Sequence, residues 1–434
     1  MIEQPDIVPA VMAAFVGMAL VILFYLPRPS EERRFLMPLA CGSYLIKVAL
    51  VPAYYYAIIW AGGDGFAFKD AYEYHLDGIE MAKEFRNGFT YTSRAWTTVD
   101  PGYPVFTGLI YWITGPNTLV MRMLNCMFST FLLLYVYRIA RHYFRDDEKG
   151  EDRIAKLACM LVAFLPYSIA ISINQRKEPI VVLLATFVFL HASKTIRFER
   201  AWALSVALFA GALFTLFFFR SGFILPFLAI LFLCYIATTQ SLVRSISLAV
   251  PMMIILFGVE FLVSDDTTIS LQQSTARLQA KVEGSADLAE VGGLVRFARM
   301  TSLFEVYKIP LATFLVVILP YPPYLSGELP SIVLSWANLA NLAFLPHMFR
   351  GAWAVGREEN WQMRLPLLIF PLVFLILIGA THVGTVRYRE TVFPVMLVLA
   401  AIGLHRRSNF LLNAIVFGGL ILLGGVAYYA RFGG

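Results

Sequence analysis

Residues 7–26 read IVPAVMAAFVGMALVILFYL, twenty residues without a charge. About 20 apolar residues in a helix cross the hydrocarbon of a bilayer. Lipid offers no partners to backbone amides and carbonyls, so only helices and closed barrels can span it. Similar runs recur near 37–61, 117–140, 154–173, 179–195, 202–219, 222–238, 245–263, 330–349, 365–381, 391–404 and 409–429. With 59% apolar and 15% charged residues, the chain is more apolar and far less charged than a soluble domain. The expected fold class is therefore all-α: a polytopic transmembrane helical bundle of about 12–13 spans, with residues 1–434 forming one integral-membrane domain. The run 7–26 has no basic leader and no small-residue cleavage site after it, which predicts a retained first helix.

The four cysteines, Cys41, Cys126, Cys159 and Cys234, lie inside apolar segments without metal-ligand spacing and read as small packing residues. The net charge of +6 comes from basic residues scattered through short loops. That pattern sets topology and gives no sign of a nucleic-acid partner. Arg28, Arg33 and Arg34, then Arg141, Arg145, Lys149, Arg153 and Lys156, then Lys194, Arg197 and Arg200 mark the cytoplasmic loops. On that assignment the loop 62–116, the turns at 174–178 and 220–221, the segment 264–329 and the turn 381–390 face the extracytoplasmic side. The apolar stretch 303–320 breaks this alternation if it crosses fully. The prolines of LPYPPYLSG (Pro320, Pro322, Pro323) instead suggest a re-entrant hairpin.

The longest polar stretch, in loop 62–116, contains DAYEYHLDGIEMAKEFRN, residues 70–87. Tyr72, Leu76, Ile79, Ala82 and Phe85 recur at helical spacing, predicting an amphipathic helix on the membrane surface. Asp70 would open it, where an acid suits the positive end of the helix dipole. The same carboxylate could serve as a general base facing a cavity, with Asp64 as a second candidate. Tyr72, Glu73, His75, Asp100 and Tyr103 would line the substrate. The aromatic side chains suit sugar stacking and an interfacial belt equally. Residues 99–115, VDPGYPVFTGLIYWITG, break the chain at Pro101, Gly102 and Pro104 before a short helix that presents Asp100.

Several cations sit at the extracytoplasmic ends of spans, against the usual bias: Arg176 and Lys177 in INQRKEPI, Arg220 in FFFRSGF, and Arg387 and Arg389 in GTVRYRE. They can snorkel to headgroups or grip a phosphate. The six histidines show no ligand spacing, and phosphate-cradling glycine loops, nucleophile elbows and zinc motifs are absent from the sequence. No cofactor is required by the sequence. Asp64, Asp70 and Glu73 could share a divalent cation.

The order DAYEYHLDGIEMAKEF, DPGYPVFTGLIYWITG, RMLNCMFSTFLLLYVYRIARHYF and RYRETVFPVMLVLAAIGL resembles the GT-C superfamily of integral-membrane glycosyltransferases, in particular bacterial relatives of the protein O-mannosyltransferases. The resemblance spans roughly residues 37–240 plus the late arginine turn. It implies a polyprenyl-phosphate-linked sugar donor, a lipid, glycan or protein acceptor, and membrane lipids as surroundings. It also implies juxtamembrane helices and an active site on the extracytoplasmic side of a bacterial inner membrane. The resemblance puts the catalytic acid at Asp70 and the donor phosphate at Arg387 and Arg389, with Arg176, Lys177 and Arg220 behind them. Two departures stand out: Ala71 follows Asp70 where many members have a second acid, and helix 7–26 is additional. A surface-polysaccharide polymerase or ligase, and a lipid-linked sugar flippase, are the alternative readings.

Overall fold

The computed structural model describes residues 5–89, 93, 96, 100–144, 151–196, 202–238, 303–318, 328–357, 361–381, 386–406 and 418–419. Among them every regular element is helical. The first ten helices are α1 (Ile7–Tyr25), α2 (Ser30–Trp60), α3 (Lys69–Arg86), α4 (Gly102–Thr114), α5 (Thr118–Tyr143), α6 (Glu151–Phe164), α7 (Pro166–Ser172), α8 (Glu178–Ile196), α9 (Trp202–Phe219) and α10 (Ile224–Thr238). Later come α11 (Ile309–Ile318), α12 (Leu329–Leu342), α13 (Leu345–Gly356), α14 (Pro366–Thr381) and α15 (Phe393–His405). Six stretches of described helix are long and apolar enough to cross a membrane, seven if the bent pair α6–α7 is one span. The expected spans 245–263 and 409–429, and the proline turn 320–323, lie outside the described residues, save a helical Gly418–Gly419.

The chain divides into two compact units. The first, residues 1–224, 320–361 and 390–434, is built around α5. That helix is apolar and buried on nearly every side, as a bundle's central helix must be. Asn117 caps it, its side chain accepting from the Leu119 and Val120 amides. The Asn117 amide also donates to the Asp6 carbonyl at 2.7 Å, which ties the start of α1 to the start of α5. Midway along, the buried Lys47 of α2 donates to Ser129 of α5 at 2.8 Å. Helices α13 and α15 cross at Gly351 and Gly403, where a Cβ on either would run into a backbone carbonyl of the other helix, Leu399 and His347 respectively.

The span expected at 154–173 is broken. α6 and α7 meet at 53°, because Pro166 has no amide to continue the ladder past Leu165. The helix expected at 70–87 forms as α3. Leu76 is exposed, and the face against α4 is Ala71, His75, Gly78 and Ala82. The cause is steric: a Cβ at Gly78 would meet Thr107, and one at Gly108 would meet Met81, so small residues decide which face can approach. Leu76 leaves an exposed apolar flank, the kind of face that a helix lying on a membrane turns to the interface.

In the second unit, residues 225–319 and 362–389, Phe227 of α10 packs edge-on against Phe370 and Phe374 of α14. α11 has ten residues, too few to cross the hydrocarbon alone.

Candidate active site

Three short connections of the first unit carry most of its polar chemistry: the loop between α2 and α3, the turn between α7 and α8, and the α9 end. The first walls a cavity of about 520 Å³ lined by Asp64, Phe66, Phe68, Lys69, Tyr72 and Glu328, among others. Asp64 is exposed there, with one carboxylate oxygen accepting from the Phe66 amide at 2.9 Å. Asp70, half-buried in the first turn of α3, directly follows the cavity residue Lys69 and lies outside this lining. Tyr72 lines the cavity. Glu73 is exposed on α3 outside the lining.

The second and third connections meet in a buried ionic knot. Lys177 donates to Asp100 at 2.6 Å. The other Asp100 oxygen accepts from the Ser221 amide at 2.9 Å and its hydroxyl at 3.1 Å. Arg176 approaches Glu178 at 3.1 Å and Glu390 at 4.0 Å. Arg220 reaches Glu178 at 3.4 Å, and Tyr167 donates to Glu390 at 3.3 Å. Three cations thus face three carboxylates. Burial works to raise the Asp100 pKa, but Lys177, the Ser221 amide and Arg220 outweigh it and hold the carboxyl below its ordinary range. Lys177 is lowered by burial and by Arg220, against the pull of Asp100. These two directions disagree about the pair, since its attraction should raise the lysine. The 2.6 Å contact, with the Ser221 amide and hydroxyl also donating to the acid, favours the ionised pair.

One ring joins the two regions. Phe68 lines the cavity, and the Arg176 guanidinium stacks over it at 4.6 Å. Beneath, Asn125 donates to the carbonyls of Asn174 and Arg176 at 2.7 and 2.8 Å, fixing the turn that carries Arg176 and Lys177.

The other expected site residues are placed as follows. His75 is buried against α4, with Nδ1 2.7 Å from the Tyr111 hydroxyl. The Gln175 amide donates to that hydroxyl at 3.0 Å. Burial first, then Arg122, lowers the His75 pKa to about 4. Tyr103 is fully buried, its hydroxyl accepting from Asn125 at 3.2 Å and its ring against Tyr74. Arg176, Lys177 and Arg220 are already engaged with carboxylates. Arg389 is buried and donates to the Val316 and Val317 carbonyls at 3.2 and 2.6 Å. Arg387 lies in the 3₁₀ turn Val386–Thr391. Among the described residues no group of three His, Cys, Asp or Glu side chains is arranged to hold a metal ion.

Glu178 and Glu390 were visible in the sequence as the letters ending RKE and RYRE, but nothing there paired them with Arg176. Arg122 and Asn125 drew no attention, being single polar residues in an apolar helix.

A helical bundle with spanning helices, a polar cavity and a buried ionic knot at helix ends has the build of an integral-membrane enzyme. Residues 98–263 match the family model of dolichyl-phosphate-mannose-protein mannosyltransferase. The match takes in Asp100, Arg176, Lys177, Glu178 and Arg220, and stops short of Asp64 and Asp70. No curated protein matches the chain. The GT-C resemblance read from the sequence is borne out over the matched residues, and that match indicates a membrane glycosyltransferase using a polyprenyl-phosphate sugar donor.

Proposed function

We propose that the protein transfers one sugar from a polyprenyl-phosphate carrier to an acceptor hydroxyl, with inversion, on the extracytoplasmic side of a bacterial inner membrane. The observation that carries this reading is the Phe68 ring, shared by a cavity holding Asp64 and by the guanidinium of Arg176. A cavity that holds a carboxylate and a cationic centre thus share one side chain.

Asp70 is the base. It follows the cavity residue Lys69, and it matches the loop acid of the family resemblance. It takes the proton from the acceptor hydroxyl as that oxygen attacks the anomeric carbon. Asp64 and Tyr72 bind the acceptor. Arg176, Lys177 and Arg220 hold the donor phosphate and supply the positive field in which charge develops. A phosphate leaving group needs no protonation, so one carboxylate suffices, unlike hydrolysis by a carboxylate pair. The knot is charge-balanced, so Arg176 and Arg220 reach the phosphate only by sharing their donors with Glu178 and Glu390.

Purified protein given a polyprenyl-phosphate mannose tests this. Asp70→Asn should lose about 10²–10⁴-fold in transfer, while Asp64→Asn should raise the acceptor KM with a smaller loss in kcat. An Asp70→Asn enzyme of wild-type activity removes Asp70 as the base. If Asp64→Asn alone abolishes turnover, the base moves to Asp64.

A further inference from the structure

Arg122 is fully buried near the start of α5. Its Nη2 donates to the Gly65 carbonyl at 2.6 Å. Among the described residues its Nε and Nη1 have no hydrogen-bond partner, and no carboxylate pairs with it. The guanidinium lies instead over the rings of Tyr55, at 5.2 Å, and Phe66, at 5.8 Å. A buried cation with two idle donors is costly, and packing alone would favour methionine or leucine at this position. An ionisable group at such a place in a membrane protein calls for a function.

The single bond it does make falls on a special joint. Gly65 has φ +85°, a left-handed conformation that side chains other than glycine rarely take. A Cβ there would also collide with the Tyr55 ring. Asp64 precedes this joint, and its carboxylate is oriented by the amide of Phe66, the residue after it. Arg122 therefore grips both residues that follow Asp64: the carbonyl of Gly65 and the ring of Phe66. The Phe66 ring is packed further by Tyr72 at 5.5 Å and His75 at 5.2 Å, which ties the same grip to the first turns of α3.

We propose that Arg122 is a positioning residue for the transfer reaction. From beneath the α2–α3 loop it fixes the Gly65 joint, and so sets the Asp64 carboxylate in the cavity and the angle at which the loop enters α3. The inference rests on the reading that this cavity is the acceptor side of the transfer site.

The test uses the full chain in detergent with two readouts, one of them independent of activity. Ala67 lines the cavity and is almost wholly shielded. In a Cys41→Ser background, Ala67→Cys therefore reports loop order through its rate of maleimide labelling. Arg122→Met should speed labelling about tenfold by local opening. It should also lower kcat with polyprenyl-phosphate mannose by about 10²-fold, the cost of a small misplacement, at unchanged donor KM. Arg122→Lys, which keeps one donor, should recover part of both. Unchanged labelling in folded Arg122→Met overturns the clamp whatever the activity. Faster labelling with wild-type kcat overturns the cavity's role in transfer, and with it the positioning. Should Arg122→Met fail to fold, Gly65→Ala strains the same joint from the other side. It must show the same paired changes, and wild-type kcat in that variant also overturns the proposal.

Discussion

Replacing Asp100 by asparagine isolates the Lys177 contact. Asparagine keeps an oxygen for the Ser221 amide, so the change removes one charge and little shape. Lys177 would then be a buried ammonium, its side chain only 7% exposed, beside Arg220 and without its nearest acid. Removing one member of a buried pair costs about 3–5 kcal/mol. Asp100 is itself 22% exposed, and solvent screening brings the expectation down to about 2–3 kcal/mol. Lys177→Met should cost a comparable amount, because it strands Asp100. The double variant leaves neither charge, so the two losses should fall short of adding by at least about 1 kcal/mol. The assay is reversible unfolding in mixed micelles for all four corners of the cycle. The pH dependence has a defined sign: the folded Asp100 pKa lies below its ordinary 3.8. Its contribution is therefore fully present above about 3.8 and lost as pH falls through the lower folded value. Additive single losses, or a wild-type advantage that vanishes between pH 5 and 8, would show that the 2.6 Å contact contributes no net stability.

Two further outcomes follow from geometry. His75 stays neutral in the fold down to about 4, whereas in the unfolded chain it binds a proton below about 6.5. Stability should fall from about pH 6.5 to about pH 4, by at most about 3 kcal/mol; His75→Gln should flatten that slope, and an unchanged slope would clear His75 of it. Gly403→Ala forces a methyl into the His347 carbonyl. Because that obstacle is backbone, the cost should be about 1–3 kcal/mol or more, whereas Gly356→Ala on α13, with open space around it, should change the unfolding free energy little.

The spans were legible because periodicity and length are local properties: α1, α2, α5 and α8 begin and end within a few residues of their apolar runs, Ser30 apart. The Pro166 break was legible in principle, since a proline inside a run announces it, but hydropathy alone reads across it. The face of α3 that meets α4 was not legible, because hydrophobicity marks which residues avoid water, whereas close approach to α4 is decided by glycine and alanine. The site divided in the same way. Asp64, Asp70, Arg176, Lys177 and Arg220 stood out as charges at the ends of apolar runs. Their partners did not: pairing Lys177 with Asp100 or Arg176 with Glu390 depends on contacts between residues 77 to 214 positions apart, and one sequence carries no signal for that. Arg122 was hidden by its isolation, although a single arginine in the first turns of an apolar helix is the kind of residue a membrane protein does not keep without cause.

The crossing of α3 and α4 at Gly78 and Gly108 has a mechanical consequence. Two helices whose backbones touch this closely cannot slide or rotate against each other without collision, so they behave as one lever. Asp70 sits in the first turn of one arm, and Asp100 lies two residues before the other. A load that tilts α3 at its Asp70 end must also pull on the Lys177–Asp100–Ser221 contacts. Resistance to motion at one acid is then set by the strength of the anchorage at the other.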